Sequence, residues 1–272
     1  MKAVVCFKVI PDYSRLSGED WIWDERNYVD IGFVRRIFNC FDESALEMLL
    51  KLSQNPEIDS DIEIKALTIV DEKSELFLKH LIAVGYDAVR IQPDKTIDFR
   101  FNPLAVSNLL AGYIKKTDQQ LVLLGQQGGE GDNRQTGMLV AERLGWPFIS
   151  EVTEIKWSET KKYLTVTSRI DGNTLVQSIK LPIVLSIGQS IESSHLRIPS
   201  LKQKLAAKKK KITTLTSLDL GIGADIGFKN DKTLIHLQRP ESNASCVFLE
   251  NENLQELARS LYNDYIKERL LR

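Results

Sequence analysis

Over its first 147 residues the chain alternates short apolar runs with amphipathic stretches, and this alternation restricts the fold more than any other feature. Ala3–Phe7, Ile62–Val70, Ala88–Ile91 and Gln120–Leu124 have the length and composition of buried strands. Between them, Ala45, Leu46, Met48, Leu49, Leu50 and Leu52 fall at helical spacing behind a capping segment, Asn39–Glu43. Lys73–Val84 predicts a helix stopped by Gly85, and Pro103–Ile114 a second long one. Met138, Leu139, Ala141 and Leu144 form a further apolar face, closed by Gly145 and Pro147. Strand and helix in alternation predict an α/β fold, a doubly wound, mostly parallel, Rossmann-like sheet with helices on both faces.

Past residue 150 the pattern changes. Thr153–Trp157, Tyr163–Arg169 and Thr174–Leu181 predict antiparallel strands, with Asp171-Gly172-Asn173 as a hairpin turn, and Ile183–Ile187 returns to the parallel sheet. From Glu192 to about Leu220 the chain is polar and basic, includes Lys208–Lys211, and predicts an extended, protruding arm that leaves the globule. Asn253–Leu270 has the spacing of a terminal helix. The expected division is an α/β domain over 1–190, an arm over 191–220 and a C-terminal extension over 221–272.

Composition removes several classes of function. Lys and Arg number 36 against 37 Asp and Glu, a net charge of −1, so there is no bulk positive field for nucleic acid or a membrane surface. Three cysteines, Cys6, Cys40 and Cys246, are odd in number and far apart, which argues against a disulfide framework or a structural zinc site. His80, His195 and His236 are equally scattered, so a histidine metal centre is not expected. No apolar run approaches the ~20 residues of a membrane span. The opening Met1–Lys8 has neither the form of a signal peptide nor that of a transit peptide. A cytoplasmic protein with no membrane insertion is expected.

The segment most concerned with chemistry is Gly125-Gln126-Gln127-Gly128-Gly129-Glu130-Gly131-Asp132-Asn133-Arg134-Gln135-Thr136-Gly137. It follows a predicted strand and opens a predicted helix, at the sheet edge where ligands of open α/β sheets bind. Glycines allow close approach to a phosphate, and a helix N-terminus offers free N–H groups with a partial positive charge. The P-loop pattern fails for want of a Gly-Lys-Ser/Thr, and the dinucleotide pattern fails because Arg134 stands where its third glycine belongs. Nucleotide binding and a plain glycine-rich connection capped by Asp132 or Asn133 both fit the spacing. No catalytic constellation stands out: the carboxylates form no recognisable pair, and Ser150, Ser186 and Ser190 lack a nucleophile elbow. A binding or carrier protein is expected rather than a stand-alone enzyme.

Several segments together resemble the electron transfer flavoprotein beta-subunit family. They are Val4–Tyr13, Asn39–Glu47, Leu123–Gln127 with Asp132–Gly137, Leu144–Pro147, and Arg197–Leu201 with Lys208–Lys211, and they run in order over nearly the whole chain. The resemblance implies a heterodimer whose alpha subunit holds most of the site for a redox-active FAD. It implies that this chain holds its own adenine nucleotide, AMP or, in bifurcating members, a second FAD reduced by NADH. Cys6, Asn39 and Asp42 would line the adenosine part. Gly125, Gln127, Asp132, Asn133, Gln135, Thr136 and Gly137 would line the phosphate end. Tyr13 and Phe41 match aromatic positions near the alpha-subunit flavin. Leu201 matches the anchor that meets acyl-CoA dehydrogenases, so a flavin-dependent dehydrogenase and a downstream acceptor are the implied electron partners.

The chain departs from the family pattern at three places. Cys40 stands where proline is usual, Asp98–Ala105 lacks the small-residue pattern of bifurcating members, which favours AMP, and Lys202-Gln203-Lys204 differs from the usual continuation of the arm. A nucleotide-responsive binding protein of the same fold without flavin is the alternative. A nucleotide hydrolase lacks both a matching phosphate loop and a paired-carboxylate metal site.

Overall fold

The computed structural model describes residues 1–24, 29–55, 62–70, 74–93, 97, 99, 101–129, 131, 133–158, 160, 163–190, 195–223, 235–236, 238, 246–251 and 253–270. It divides into two units, Met1–Ile235 and His236–Arg272.

In the first unit, strand β1 (Lys2–Cys6) decides the layering. Its alternate side chains are buried on opposite faces. Ala3 and Val5 pack with helices α1 (Cys40–Ser53) and α2 (Glu75–Val84), whereas Val4 and Cys6 pack with α3 (Pro103–Lys116) and α4 (Thr136–Leu144). A strand that is apolar on both sides belongs inside a sheet covered on both faces.

The remaining strands are β2 (Val9–Pro11), β3 (Arg36–Phe38), β4 (Glu63–Ile69), β5 (Asp87–Ile91), β6 (Leu121–Gly125), β7 (Phe148–Trp157), β8 (Leu164–Ile170), β9 (Asn173–Ile179), β10 (Ile183–Ile187) and β11 (Thr213–Leu215). The main sheet runs β11-β5-β4-β1-β6-β10-β7-β8-β9 among the described residues. Every neighbouring pair from β11 to β7 is parallel, and β7–β8 and β8–β9 are antiparallel. The expected doubly wound α/β fold with a hairpin extension is the fold observed. The hairpin turn uses two residues, Asp171 (φ 49°) and Gly172 (φ 77°), and Asn173 already pairs with Ile170. Two positive φ values in a two-residue loop match the twist of the flanking strands.

Two features differ from the sequence expectation. Val9–Pro11 pairs antiparallel with Arg36–Phe38 as a small second sheet, which is not among the strands the sequence predicts. The pairing joins segments far apart in sequence, so no local periodicity announces it. The second difference concerns the arm, whose start at Glu192 lies outside the described residues, as does Lys73, the predicted start of α2. The arm is not extended throughout. Helix α5 (Leu201–Lys209) forms within it, and β11 adds to the main sheet beside β5, pairing Thr213 with Val89. Leu196, Pro199 and Ala207 are its buried residues among those described, too few to create a visible apolar period.

In the second unit, the terminal helix expected over 253–270 is observed as Leu254–Leu261, a π-helical segment Tyr262–Ile266 and a last turn Lys267–Leu270. Asn253 caps it by accepting from the Gln255 N–H at 3.0 Å. No helix of the described residues is long and apolar enough to cross a membrane.

Candidate functional site

The strand order reverses between β1 and β6, because the chain moves outward from β1 to β4 and β5 on one side and from β6 to β10 on the other. The crevice at the carboxyl ends of such strands is where doubly wound sheets take ligands. β1 ends at Cys6 and β6 at Gly125, and a cavity of about 430 Å³ opens at this edge. That volume lies within the roughly 300–1,000 Å³ common for small-molecule sites.

Asp42, in the first turn of α1, ties the floor of the crevice together. One carboxylate oxygen accepts from the Lys8 N–H at 2.8 Å and the other from the Gly125 N–H at 2.8 Å. The ends of β1 and β6 are thereby clamped to one side chain. Gly125 is required by this approach, since a Cβ there would lie 2.2 Å from Asp42 Oδ1 and 2.9 Å from its backbone nitrogen. Burial pushes the Asp42 carboxyl up to about 7, against the opposing pull of the Lys8 and Gly125 N–H groups and the Asn39 amide. Burial, with Asp42 beside it, also raises the Cys6 thiol far above its ordinary value, so Cys6 stays protonated and unreactive.

Asn39 precedes α1 but does not cap it with its side chain. Its amide donates instead to the Gln127 carbonyl at 2.7 Å and holds the glycine-rich loop to the start of α1. The loop is held on its other side by Gln126, whose amide donates to Glu151 Oε1 at 3.0 Å. Asn133 Oδ1 accepts from the Gln135 N–H at 3.0 Å, turning the chain into α4. Gln135, at the N-cap of α4, gives no side-chain cap. Among the described residues no side chain caps the first turn of α4, whose Thr136 and Gly137 line the cavity.

The cavity has two characters. Ile69, Val70, Pro93, Phe99, Val106 and Leu110 supply the apolar side chains of the lining, which also includes Cys6 and Thr68. Lys8, Arg36, Asn39, Asn133, Arg134 and Thr136 supply its polar and cationic side chains, and Gly125–Gly128 also line it. A flat apolar ring suits the first set and an anion at a helix N-terminus suits the second.

Residues 34–220, more than half of the chain, match the family described as Electron transfer flavoprotein domain. The chain belongs to the electron transfer flavoprotein beta-subunit family. Among its relatives, the mitochondrial electron transfer flavoprotein subunit beta of Oryza sativa subsp. indica is 28% identical over 97% of this chain and 98% of its own length. Electron transfer flavoprotein subunit beta of Megasphaera elsdenii is 25% identical over 100% of both chains. That of Pongo abelii is 29% identical over 82% of this chain and 84% of its own.

In this electron transfer flavoprotein chain, the structure brings Cys6, Asn39, Asp42, Gly125, Gln127, Asn133, Thr136 and Gly137 to one cavity. Asp132 lies outside the described residues. Gln135 is the N-cap of α4 and is not part of the lining. Phe41 packs its Cβ against Gly125, and Tyr13 stacks on Trp21 with ring centroids 6.0 Å apart, both apart from the cavity lining. Leu201 is on the surface at the first turn of α5, 73% exposed. Sequence reasoning missed Arg36, Thr68 and Phe99, and it noted Arg134 only as a break in the dinucleotide pattern. Thr68 was within reach of the carboxyl-edge rule, because it stands near the end of a predicted strand. Arg36 arrives through the β2–β3 pairing, which has no sequence signal.

Proposed function

We propose that this chain is the beta subunit of a heterodimeric electron transfer flavoprotein, carrying electrons between a flavin-dependent dehydrogenase, of the acyl-CoA type, and a downstream acceptor. Its partner is an alpha subunit that supplies most of the binding site for FAD, and the flavin carries the redox chemistry. This chain presents Tyr13 and Phe41 to that flavin and holds an adenine nucleotide of its own, AMP or a second FAD, in the cavity between β1 and β6. Cys6, Asn39 and Asp42 face its adenosine part, and Gly125, Gln127, Asp132, Asn133, Gln135, Thr136 and Gly137 its phosphate end. The observation that carries the reading is the cavity at the strand reversal, lined by apolar Phe99 and Leu110, by cationic Lys8, Arg36 and Arg134, and by the start of α4, which Gln135 leaves without a side-chain cap. Cys6, Cys40 and Cys246 are all free thiols, which suits the reducing cytoplasm.

The work of the chain itself is binding and orientation. Nucleotide bound only by the folded state stabilises it by mass action, so the cavity also couples nucleotide occupancy to fold stability. Extraction of the purified complex tests the proposal. One flavin with one AMP, or two flavins, per heterodimer is the expected result. A complex that contains no nucleotide beyond a single FAD overturns the assignment of the cavity.

A further inference from the structure

Helix α5 buries one residue, Ala207, so apolar packing contributes little to holding it against the sheet domain. Its position rests on polar ties at its two ends, and these are unequal. At the far end Lys79 Nζ meets the carbonyls of Lys208 and Lys210 at the surface, where such ties add little. At the near end Arg197 meets Glu47. The Arg197 N–H donates to Glu47 Oε2 at 3.1 Å, Nε donates to Oε1 and Oε2 at 3.1 and 3.0 Å, and Nη2 donates to Oε1 at 2.6 Å. Nη1 donates to Gln54 Oε1 at 2.6 Å. Glu47 is buried in α1, and among the described residues Arg197 is the one cation paired with it. A guanidinium fork on a carboxylate is strong and fixed in direction. A buried carboxylate without its cation is costly, so the two stay together.

Both sides of this pair are rigid. Leu46, next to Glu47, is fully buried, and its carbonyl accepts from the buried Tyr86 hydroxyl at 2.6 Å. Between Arg197 and Leu201 stand only Ile198, Pro199 and Ser200. Pro199 is buried and its ring fixes φ. Ser200 is the N-cap of α5: its N–H donates to Gln203 Oε1 at 2.8 Å, and the Gln203 N–H donates to Ser200 Oγ at 3.3 Å. Leu201 is the first residue of the helix. The place of the exposed Leu201 therefore follows from the place of Arg197.

We infer that Arg197 is a positioning residue for electron transfer: its fork on Glu47 holds Leu201 where the dehydrogenase takes it up, and Arg197 does not itself touch that partner. An anchor already in its bound place spares the partner the cost of ordering it, so the benefit appears in affinity rather than in the transfer step. The inference rests on Leu201 as the anchor, and the test separates the two.

The experiment uses the intact heterodimer as electron acceptor of the dehydrogenase and measures KM and kcat. Arg197→Lys keeps a charge on Glu47 and loses the fork. Glu47→Gln combined with Arg197→Gln removes both charges, so no buried carboxylate is left unpaired. KM for the heterodimer should rise about threefold in the first and about fivefold or more in the second, with kcat within about twofold of wild type. Flavin content should match wild type, and amide exchange over 196–209 should be faster. Leu201→Ala alone should raise KM about tenfold, but by less than about twofold when added to the Glu47→Gln, Arg197→Gln protein, because the anchor is already out of place there. Wild-type KM in both Arg197 variants overturns the positioning role. So does a full multiplication of the two effects, which would put Arg197 itself in the interface, and so does loss of flavin from the Arg197 variants, which would make it a support of the whole fold. If Leu201→Ala alone leaves KM at the wild-type value, the anchor reading falls and this inference with it.

Discussion

Asp42 is the residue on which the site turns. Its two oxygens hold the ends of two strands that are 119 positions apart in sequence, from Cys6 to Gly125. Its carboxyl is pushed up to about 7 from 3.8, chiefly by burial. A carboxyl with a raised folded value binds its proton more tightly folded than unfolded. Its contribution to stability is therefore full below about pH 4 and lost as the pH rises through about 7. Asp42→Asn should cost roughly 1–3 kcal/mol, because its NH2 group must face one of the two backbone N–H donors. It should also flatten the fall in melting temperature between about pH 5 and about pH 8. Thermal melts of both proteins across that range check the assignment, and parallel pH profiles would refute it.

The element that most depends on tertiary support is the arm. α5 is polar on nearly every side, and a helix of nine residues is marginal without packing. Its N-terminal approach is fixed by Arg197, whose guanidinium meets the buried Glu47 at 2.6 Å and Gln54 at 2.6 Å, while its carbonyl faces His80 Nε2 at 3.2 Å. Ser200 and Gln203 complete a capping box. At the other end Lys79 Nζ donates to the carbonyls of Lys208 and Lys210, at 3.2 and 2.7 Å, where a cation also meets the negative end of the helix dipole. Leu201 takes no part in these ties and stands exposed. Leu201→Ala is therefore expected to leave the melting temperature and nucleotide content near wild type. Electron transfer with the dehydrogenase partner should slow about tenfold, the equivalent of ~1.4 kcal/mol, if this side chain is the anchor of that contact. Stopped-flow measurement of flavin reduction by the dehydrogenase decides the matter, and an unchanged rate removes Leu201 from the interface.

At the scale of the molecule, each of the two units leaves apolar side chains in solvent. In the first these include Ile22 and Phe33, 73% and 68% exposed, beside the half-exposed Trp21 and Trp23. In the second, the terminal helix exposes Leu254, Leu261, Tyr262 and Leu270. The proposed alpha subunit would cover groups of this kind. The chain should form a 1:1 complex on co-expression with an alpha subunit, and its melting temperature should rise by several degrees in the complex, since the partner binds only the folded form. Light scattering and thermal melts provide the check. A chain that stays monomeric and equally stable beside the alpha subunit contradicts the assembly.

The alternation of buried strands and amphipathic helices was legible in the sequence because parallel strands covered on both faces must be apolar throughout, and the helices beside them must be apolar on one side only. The glycine-rich loop was legible for a related reason: its position after β6 and before α4 places it at the ligand edge of any sheet of this kind. The cavity itself was not. It needs Asp42 to reach both β1 and β6, Asn39 to reach Gln127, and β3 to deliver Arg36 from a segment with no strand signal of its own. The arm was misread as extended for the same cause, because Arg197 finds Glu47 150 positions away and β11 finds β5 across the sheet edge. Local patterns record which side of a segment meets the core. Which distant side chains converge on one point is decided only when the strands have taken their order.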